Sequence, residues 1–157
     1  MQVDGQAFLA DVGFGSGLLS PAPLIDGEGF QQGDWTNRLR RGKDDSWWLE
    51  TCRDGRWDTS YVVPAEATYP IDIAVANHFT STYPGSPFVR SAIVVRKDET
   101  AVRTLRGRQL SVVHADGREV LSDVDYDELG QLLADLGVAL DDREVRALIA
   151  ASAGSPT

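Results

Sequence analysis

Few residues in this sequence combine the type and spacing that chemistry requires. One thiol, Cys52, and two imidazoles, His78 and His114, are its only Cys and His residues. A cysteine nucleophile needs a histidine beside it and a third group to orient that histidine. Cys52 closes the run Ser46-Trp47-Trp48-Leu49-Glu50-Thr51-Cys52, which offers no local activating group, so it reads as a small packing residue. The two histidines lie in different segments with no second His or Cys at metal-ligand spacing, and no metal is expected. His114, just before a turn, reads either as an exposed strand-end side chain or as a contact for an anionic ligand. The loop Gly13-Phe14-Gly15-Ser16-Gly17 follows a strand-like run. Bare glycines there could let backbone N–H groups cradle a phosphate, or could serve a tight turn at positive φ. It is not a dinucleotide fingerprint, because Ser20-Pro21-Ala22-Pro23 stands where a helix should open. Two arginine clusters, Arg38/Arg40/Arg41 and Arg103/Arg106/Arg108, suit either a phosphorylated ligand or solvated strand faces. Trp47, Trp48 and Trp57 suit cross-strand packing or the wall of a ligand pocket, with packing the expected role.

The elements that must position these residues follow from pattern. An apolar run over 6–12 predicts a strand that ends in the glycine loop. Strand-like segments over 35–41, 46–52 and 56–63, with Arg53-Asp54-Gly55-Arg56 between the last two, predict an antiparallel meander; Asp-Gly is the favoured chemistry of a tight hairpin. Tyr69-Pro70-Ile71-Asp72 suits a helix entry, with the helix passing through Val75 and Phe79 and stopping in the turn-rich stretch 81–87. Short strands follow over 91–96, 102–105, 110–114 and 119–121, the last two joined by Asp116-Gly117. The period then changes. Tyr126, Leu129, Leu132, Leu133 and Leu136 share one helical face, Asp125 with Glu128 predicts a capping box, and Gly137 a C-terminal stop. Asp141 with Glu144 repeats the capping signature ahead of Val145, Leu148 and Ile149, and residues 154–157 are expected to fray. The fold class is α+β, mainly β, with C-terminal helices.

Composition limits the function. The 157 residues allow one ordinary domain or two small ones, and the net charge of -9 repels nucleic-acid backbones and anionic lipid. A single Cys admits no internal disulfide, and no apolar run approaches the roughly 20 residues of a membrane span. The start Met1-Gln2-Val3-Asp4-Gly5 lacks the features of a signal peptide, so a cytoplasmic setting with neither nucleic acid nor membrane as partner is expected.

Three stretches taken together carry a resemblance: Ala10-Asp11-Val12-Gly13-Phe14-Gly15, then Asn77-His78-Phe79-Thr80-Ser81-Thr82-Tyr83-Pro84-Gly85-Ser86-Pro87-Phe88, then Gly137-Val138-Ala139-Leu140 before an acidic helix. Over nearly its whole length the chain resembles the arylamine N-acetyltransferase family. Members use a Cys-His-Asp triad, in that chain order, to take an acetyl group from acetyl-CoA onto the thiolate and pass it to an arylamine or hydrazine nitrogen. The resemblance makes Asp11 the triad aspartate, whose task is to hold the histidine in one tautomer and stabilise its imidazolium. The family's Cys and His precede that motif, whereas Cys52, His78 and His114 all follow it. The chain therefore resembles a C-terminal portion of the enzyme, with two of three catalytic groups missing and no acetyl transfer expected from it alone.

The same resemblance places Gly13, Phe14 and Gly15 at the acyl and acceptor pocket, Phe88 on the pocket wall, Thr82 and Ser86 near the CoA channel, and His114 in a strand region that helps contact CoA. Where members commonly read Ser-Thr-His-Pro, this chain has Ser81-Thr82-Tyr83-Pro84. The family fold has an N-terminal helical domain, a β-barrel and an α/β lid, which implies a partial barrel over 1–66 and a lid over 67–157. Without the helical domain an exposed apolar patch around Phe8, Phe14 and Phe88 is expected, suited to the missing domain or to another copy of the chain. The partners implied for the intact enzyme are CoA and a small aromatic amine. A non-catalytic module that binds CoA or an aromatic ligand, or complements a partner, is the competing reading.

Overall fold

The computed structural model describes residues 1–153; the fraying expected for 154–157 lies outside the described residues. Among the described residues, eleven strands and four helices follow one another. Strands β1 (Gln2–Val3), β2 (Gln6–Leu9) and β3 (Ala22–Pro23) form one sheet, and β4 (Gly29–Gln32), β5 (Trp35–Arg41), β6 (Trp47–Arg53) and β7 (Arg56–Val63) form a second. Helices α1 (Pro70–Thr82) and α2 (Pro87–Arg90) come next. Then come β8 (Ile93–Lys97), β9 (Ala101–Arg106), β10 (Gln109–His114) and β11 (Glu119–Asp123), ordered β11-β10-β9-β8, and finally α3 (Tyr126–Asp135) and α4 (Asp142–Ala153). The chain divides into two compact units, one of Met1–Ala67, Lys97–Val102 and Val113–Glu119, the other of Thr68–Arg96, Arg103–Val112 and the residues from Val120 on.

All three sheets are antiparallel, and the class is mainly β α+β. No closed barrel is present among the described residues: the second sheet is open, with β4 at one edge and β7 at the other. Closure needs edge strands that pair with one another, and the two-residue β1 and β3 are tied up in a sheet of their own with β2. The predicted meander is present, and its hairpin turns as Asp-Gly demands, with Asp54 at φ 49° and Gly55 at φ 73°. The strand expected over 6–12 stops at Leu9, because the Asp11 side chain captures the next backbone donors. Strand β4 falls in a stretch that reads as polar loop; its single apolar residue, Phe30, gives no alternation to detect.

In the first unit Ala22, Leu39 and Leu49 are fully buried, with Leu9, Leu18, Leu24, Phe30, Trp47 and Tyr61 packed on them. One irregularity in β7 sets which side chains reach this core. Leu49 opposes Tyr61 but Glu50 opposes Thr59, so Ser60 is the extra residue of a bulge. A one-residue shift exchanges the two faces of a strand. Tyr61 therefore shares the core face of Leu49, while Trp57 joins Glu50, Arg38, Arg40 and Trp48 on the other. There Arg38 and Arg40 both bond the buried Glu50 carboxylate, at 2.6 and 3.3 Å, and stack over Trp57 and Trp48. Arg41 pairs with Asp45 at 2.7 Å.

In the second unit Leu105, Val124, Leu129, Leu133 and Leu136 are buried together, with Val94, Leu110, Leu132, Leu148 and Ile149 against them. This is the face predicted for α3. Its predicted capping box does not form: the Asp125 side chain makes no cap bond and pairs instead with Arg108 at 3.2 Å. The box predicted at α4 is complete, Asp141 accepting from the Glu144 N–H at 2.8 Å and Glu144 from the Asp141 N–H at 2.9 Å. Gly137 ends α3 at φ 89°. Helix α1 ends at Thr82, inside the turn-rich stretch expected to stop it, and none of its residues is buried. Leu133→Ala should remove about 2–5 kcal/mol from the urea unfolding free energy, and a loss under about 1 kcal/mol would show that Leu133 is not a core anchor.

Candidate functional site

Asp11 stands in the turn that follows β2, and its carboxylate organises that turn. Oδ1 accepts the backbone N–H of Gly13 at 3.1 Å and of Phe14 at 3.0 Å. The loop closes with the Gly17 N–H donating to the Phe14 carbonyl at 2.8 Å. The glycine loop thus does cradle an anion, and the anion is its own: the amides of Gly13 and Phe14, which a phosphate would need, are taken by Asp11. Neither Gly13 nor Gly17 lies at positive φ. Gly17 is needed for a different reason, since a Cβ there would collide with the Asp11 carboxylate.

The other carboxylate oxygen, Oδ2, is buried. The Tyr61 hydroxyl, also buried, is near enough to act on it electrostatically, and among the described residues neither atom has a hydrogen-bond partner of good geometry. The Phe14 ring meets the Tyr61 ring edge-on at 5.2 Å between centroids. Leu9, Ala10, Asp11, Phe14, Tyr61 and Val63 line an open recess of about 250 Å³. Burial pushes the Asp11 carboxyl up, but the Phe14 N–H, the Tyr61 hydroxyl and the Gly13 N–H together outweigh it and hold the group below the ordinary carboxylate range. The reciprocal effect, burial plus the adjacent carboxylate, holds the Tyr61 phenol well above its usual range. At neutral pH the pair is a carboxylate and a neutral phenol. The Asp11 carboxylate, which lines the recess, therefore keeps acceptor capacity on Oδ2.

Of the residues singled out from the sequence, Asp11, Gly13, Phe14 and Gly15 fall in this turn. His114 is half-buried elsewhere in the same unit, in a polar recess of about 390 Å³ lined by Asp34, Thr100, His114, Ala115, Asp116 and Arg118. Thr82, Ser86 and Phe88 belong to the second unit. Thr82 Oγ1 donates to the His78 carbonyl at 2.6 Å, and the buried Ser86 Oγ donates to the Thr80 carbonyl at 2.6 Å. Phe14 and Phe88 are exposed, whereas Phe8 is half-buried. Cys52 is a half-buried free thiol opposite Trp57, and His78 is exposed on α1. Sequence reasoning missed Tyr61 and Lys97. Tyr61 reaches Asp11 only because of the bulge at Ser60, which leaves no mark in the sequence pattern. Lys97 carries one faint signal, being one of two lysines in a chain with 15 basic residues.

The depressed Asp11 pKa has a sign for stability. A carboxyl that ionises lower in the folded chain stabilises above its ordinary value of 3.8, and that contribution is lost as pH falls through the folded value. Tyr61→Phe removes a donor to the charged form, so the Asp11 midpoint should rise in a carboxyl-carbon NMR titration. An unchanged midpoint would mean that Tyr61 does not act on Asp11.

The family model described as N-acetyltransferase matches residues 1–145. The chain is 34% identical over 155 residues to an arylamine N-acetyltransferase of Mycolicibacterium smegmatis, covering 94% of this chain and 54% of that protein. Among solved structures it is similar to the arylamine N-acetyltransferase of Mycobacterium abscessus, with a TM-score of 0.85 and 26% identity over 98% of this chain and 57% of that one. It is also similar to the Mycobacterium marinum arylamine N-acetyltransferase solved in complex with CoA, with a TM-score of 0.68 and 26% identity over 90% of this chain and 54% of that one. The chain spans about half the length of the relatives it matches. The family match over residues 1–145 and the relative 34% identical over 94% of this chain show that the chain belongs to the arylamine N-acetyltransferase family.

Proposed function

We propose that this chain is the C-terminal portion of an acetyl-CoA:arylamine N-acetyltransferase, with Asp11 as the acid of its Cys-His-Asp triad. One observation carries the reading: Asp11 lines an open recess as an ionised carboxylate, and its buried oxygen, Oδ2, is left without a hydrogen-bond partner among the described residues. A triad acid must accept the histidine N–H, keep one tautomer and stabilise the imidazolium without taking its proton. A carboxylate held down by two amides and a phenol suits that task. The cysteine and histidine would come from a segment that this sequence does not contain. In the first half-reaction the thiolate attacks the acetyl-CoA carbonyl, forming the acyl-thioester and expelling CoA thiolate. In the second the amine nitrogen attacks that thioester, and the imidazole carries the proton from the amine to the departing cysteine sulfur.

On this reading 1–66 corresponds to the family's barrel region and 67–157 to its lid. By the family resemblance Gly13, Phe14, Gly15 and Phe88 would serve acyl and acceptor binding, and Thr82, Ser86 and His114 would serve CoA binding; the M. marinum relative was solved in complex with CoA. A second reading, a partner-complementing module, draws support from α1. Its Ile71, Ile73, Val75 and Phe79 are each more than half exposed, an apolar surface that free helices rarely leave in water. The two readings meet in one experiment. The chain alone should give no acetyl transfer from acetyl-CoA to an arylamine. Adding the N-terminal half of the M. smegmatis relative should restore turnover, and Asp11→Asn should lower the restored rate by about 10⁴-fold. Turnover by the chain alone, or Asp11→Asn as active as the unsubstituted chain, would overturn the assignment of Asp11.

A further inference from the structure

We infer that Lys97 is a positioning residue for Asp11, clamping the glycine loop through the carbonyl of Gly17. Its Nζ donates to that carbonyl at 2.6 Å and lies 3.4 Å from the Ser16 carbonyl. The ammonium also sits over the Trp35 ring, 4.3 Å from the centroid, and the Trp35 indole N–H is itself anchored on the Asp98 carbonyl at 2.8 Å. Gly17 is the residue with no room for a Cβ beside the Asp11 carboxylate. The mechanical path is short: Lys97 fixes the Gly17 peptide, that peptide abuts the carboxylate, and the carboxylate accepts from Gly13 and Phe14 at the far side of the same turn.

The clamp is not explained by global stability. Burial first, and then the Arg53 guanidinium, push the Lys97 ammonium from 10.5 down to about 8. A lysine with a depressed pKa releases its proton more readily in the folded chain than in the unfolded one, so stability rises with pH between those two values. Charged Lys97 therefore works against folding at neutral pH while it holds the loop, the pattern expected where a residue serves a site. The charged groups near it are Arg53 on β6, which leans on Asp58 at 4.0 Å, and Asp98, whose carboxylate accepts from Thr100 and Ala101.

The value of the clamp to catalysis rests on Asp11 being the triad acid, but the clamp can be read without any acetyl transfer. With two lysines in the chain, ¹³C-lysine labelling gives two side-chain signals, Lys43 and Lys97. These and the amides of Gly13, Phe14 and Gly17 are followed from about pH 6 to about pH 11, a range that spans the Lys97 midpoint at about 8. The loop amides should move with the Lys97 midpoint and ignore that of Lys43. Lys97→Met should abolish the loop transition, place its amides at neutral pH where the unsubstituted chain reaches them only in alkali, and raise the Asp11 midpoint. Lys97→Arg, charged throughout, should keep the loop in its neutral-pH state across the range. Loop amides that stay still while Lys97 titrates, or that coincide in Lys97→Met and the unsubstituted chain, would overturn the clamp. If Lys97→Met does not fold, the titration of the unsubstituted chain decides. Failure of this experiment leaves the role of Asp11 standing, and failure of complementation leaves the clamp standing.

Discussion

A charged carboxylate with one oxygen buried is the constraint around which the first unit is organised. Left uncompensated, Asp11 would protonate or swing out to water. Four features answer it, two from the same loop and two from distant parts of the sequence. The amides of Gly13 and Phe14 hold Oδ1, the Tyr61 hydroxyl acts on the carboxylate, Gly17 gives up a side chain so that its backbone can close on the carboxylate, and Lys97 holds Gly17. The bulge at Ser60 belongs to the same solution, since without it Tyr61 would stand on the face of β7 turned away from Leu49 and the core.

Glu50 is the informative contrast within the same unit. It too is a buried carboxylate held below its ordinary range, with burial opposing the shift and Arg38 and Arg40 overcoming it. Its two oxygens are matched by two guanidinium groups, each backed by a tryptophan ring. Nothing is left over for a ligand, and the arginines are spent on neutralising the strand face, which is how the sequence alternative between phosphate site and strand face is resolved for Arg38 and Arg40. Asp11 is compensated by neutral donors instead. A carboxylate kept ionised by dipoles retains its full negative charge for an incoming cation, whereas one paired with arginine does not. The two sites differ in what they leave unsatisfied, and that difference separates a structural acid from one suited to a triad.

Much of this arrangement was legible where local physics decides it. Asp54-Gly55 and Gly137 turn as they must because positive φ is nearly a property of the residues themselves, and the period of Leu129, Leu133 and Leu136 states which face of α3 is buried. Legibility failed where a side chain had two partners to choose from. Asp125 was free to cap its own helix, but the Arg108 guanidinium is a stronger partner than a backbone N–H and takes the carboxylate. The glycine loop offered two readings, and its amides belong to neither a phosphate nor a positive-φ turn but to a residue of the loop itself. Tyr61 and Lys97 lie 50 and 86 positions beyond Asp11. Their approach depends on a bulge and on strand pairing, and neither is written in periodicity. The family resemblance pointed to Asp11 without either of them, because a motif records which residue is needed and not what holds it in place.

On the proposed reading, that division bears on how a chain of this length could keep a usable site. Every group that sets the charge and orientation of Asp11 lies in one compact unit of this chain: Gly13, Phe14, Gly17, Tyr61 and Lys97. The entropy of ordering the acid and the desolvation of its buried oxygen are therefore met when this unit folds, and not when a histidine arrives. Preorganised charge of this kind costs no further rearrangement at the moment of reaction. On the proposed reading, what a complementing segment must supply is correspondingly small in chemical terms, an imidazole N–H directed at Oδ2 and a thiol on its other side. The harder requirement is geometric, because an imidazole placed about 1 Å out of line forfeits much of the advantage of an acid already in position.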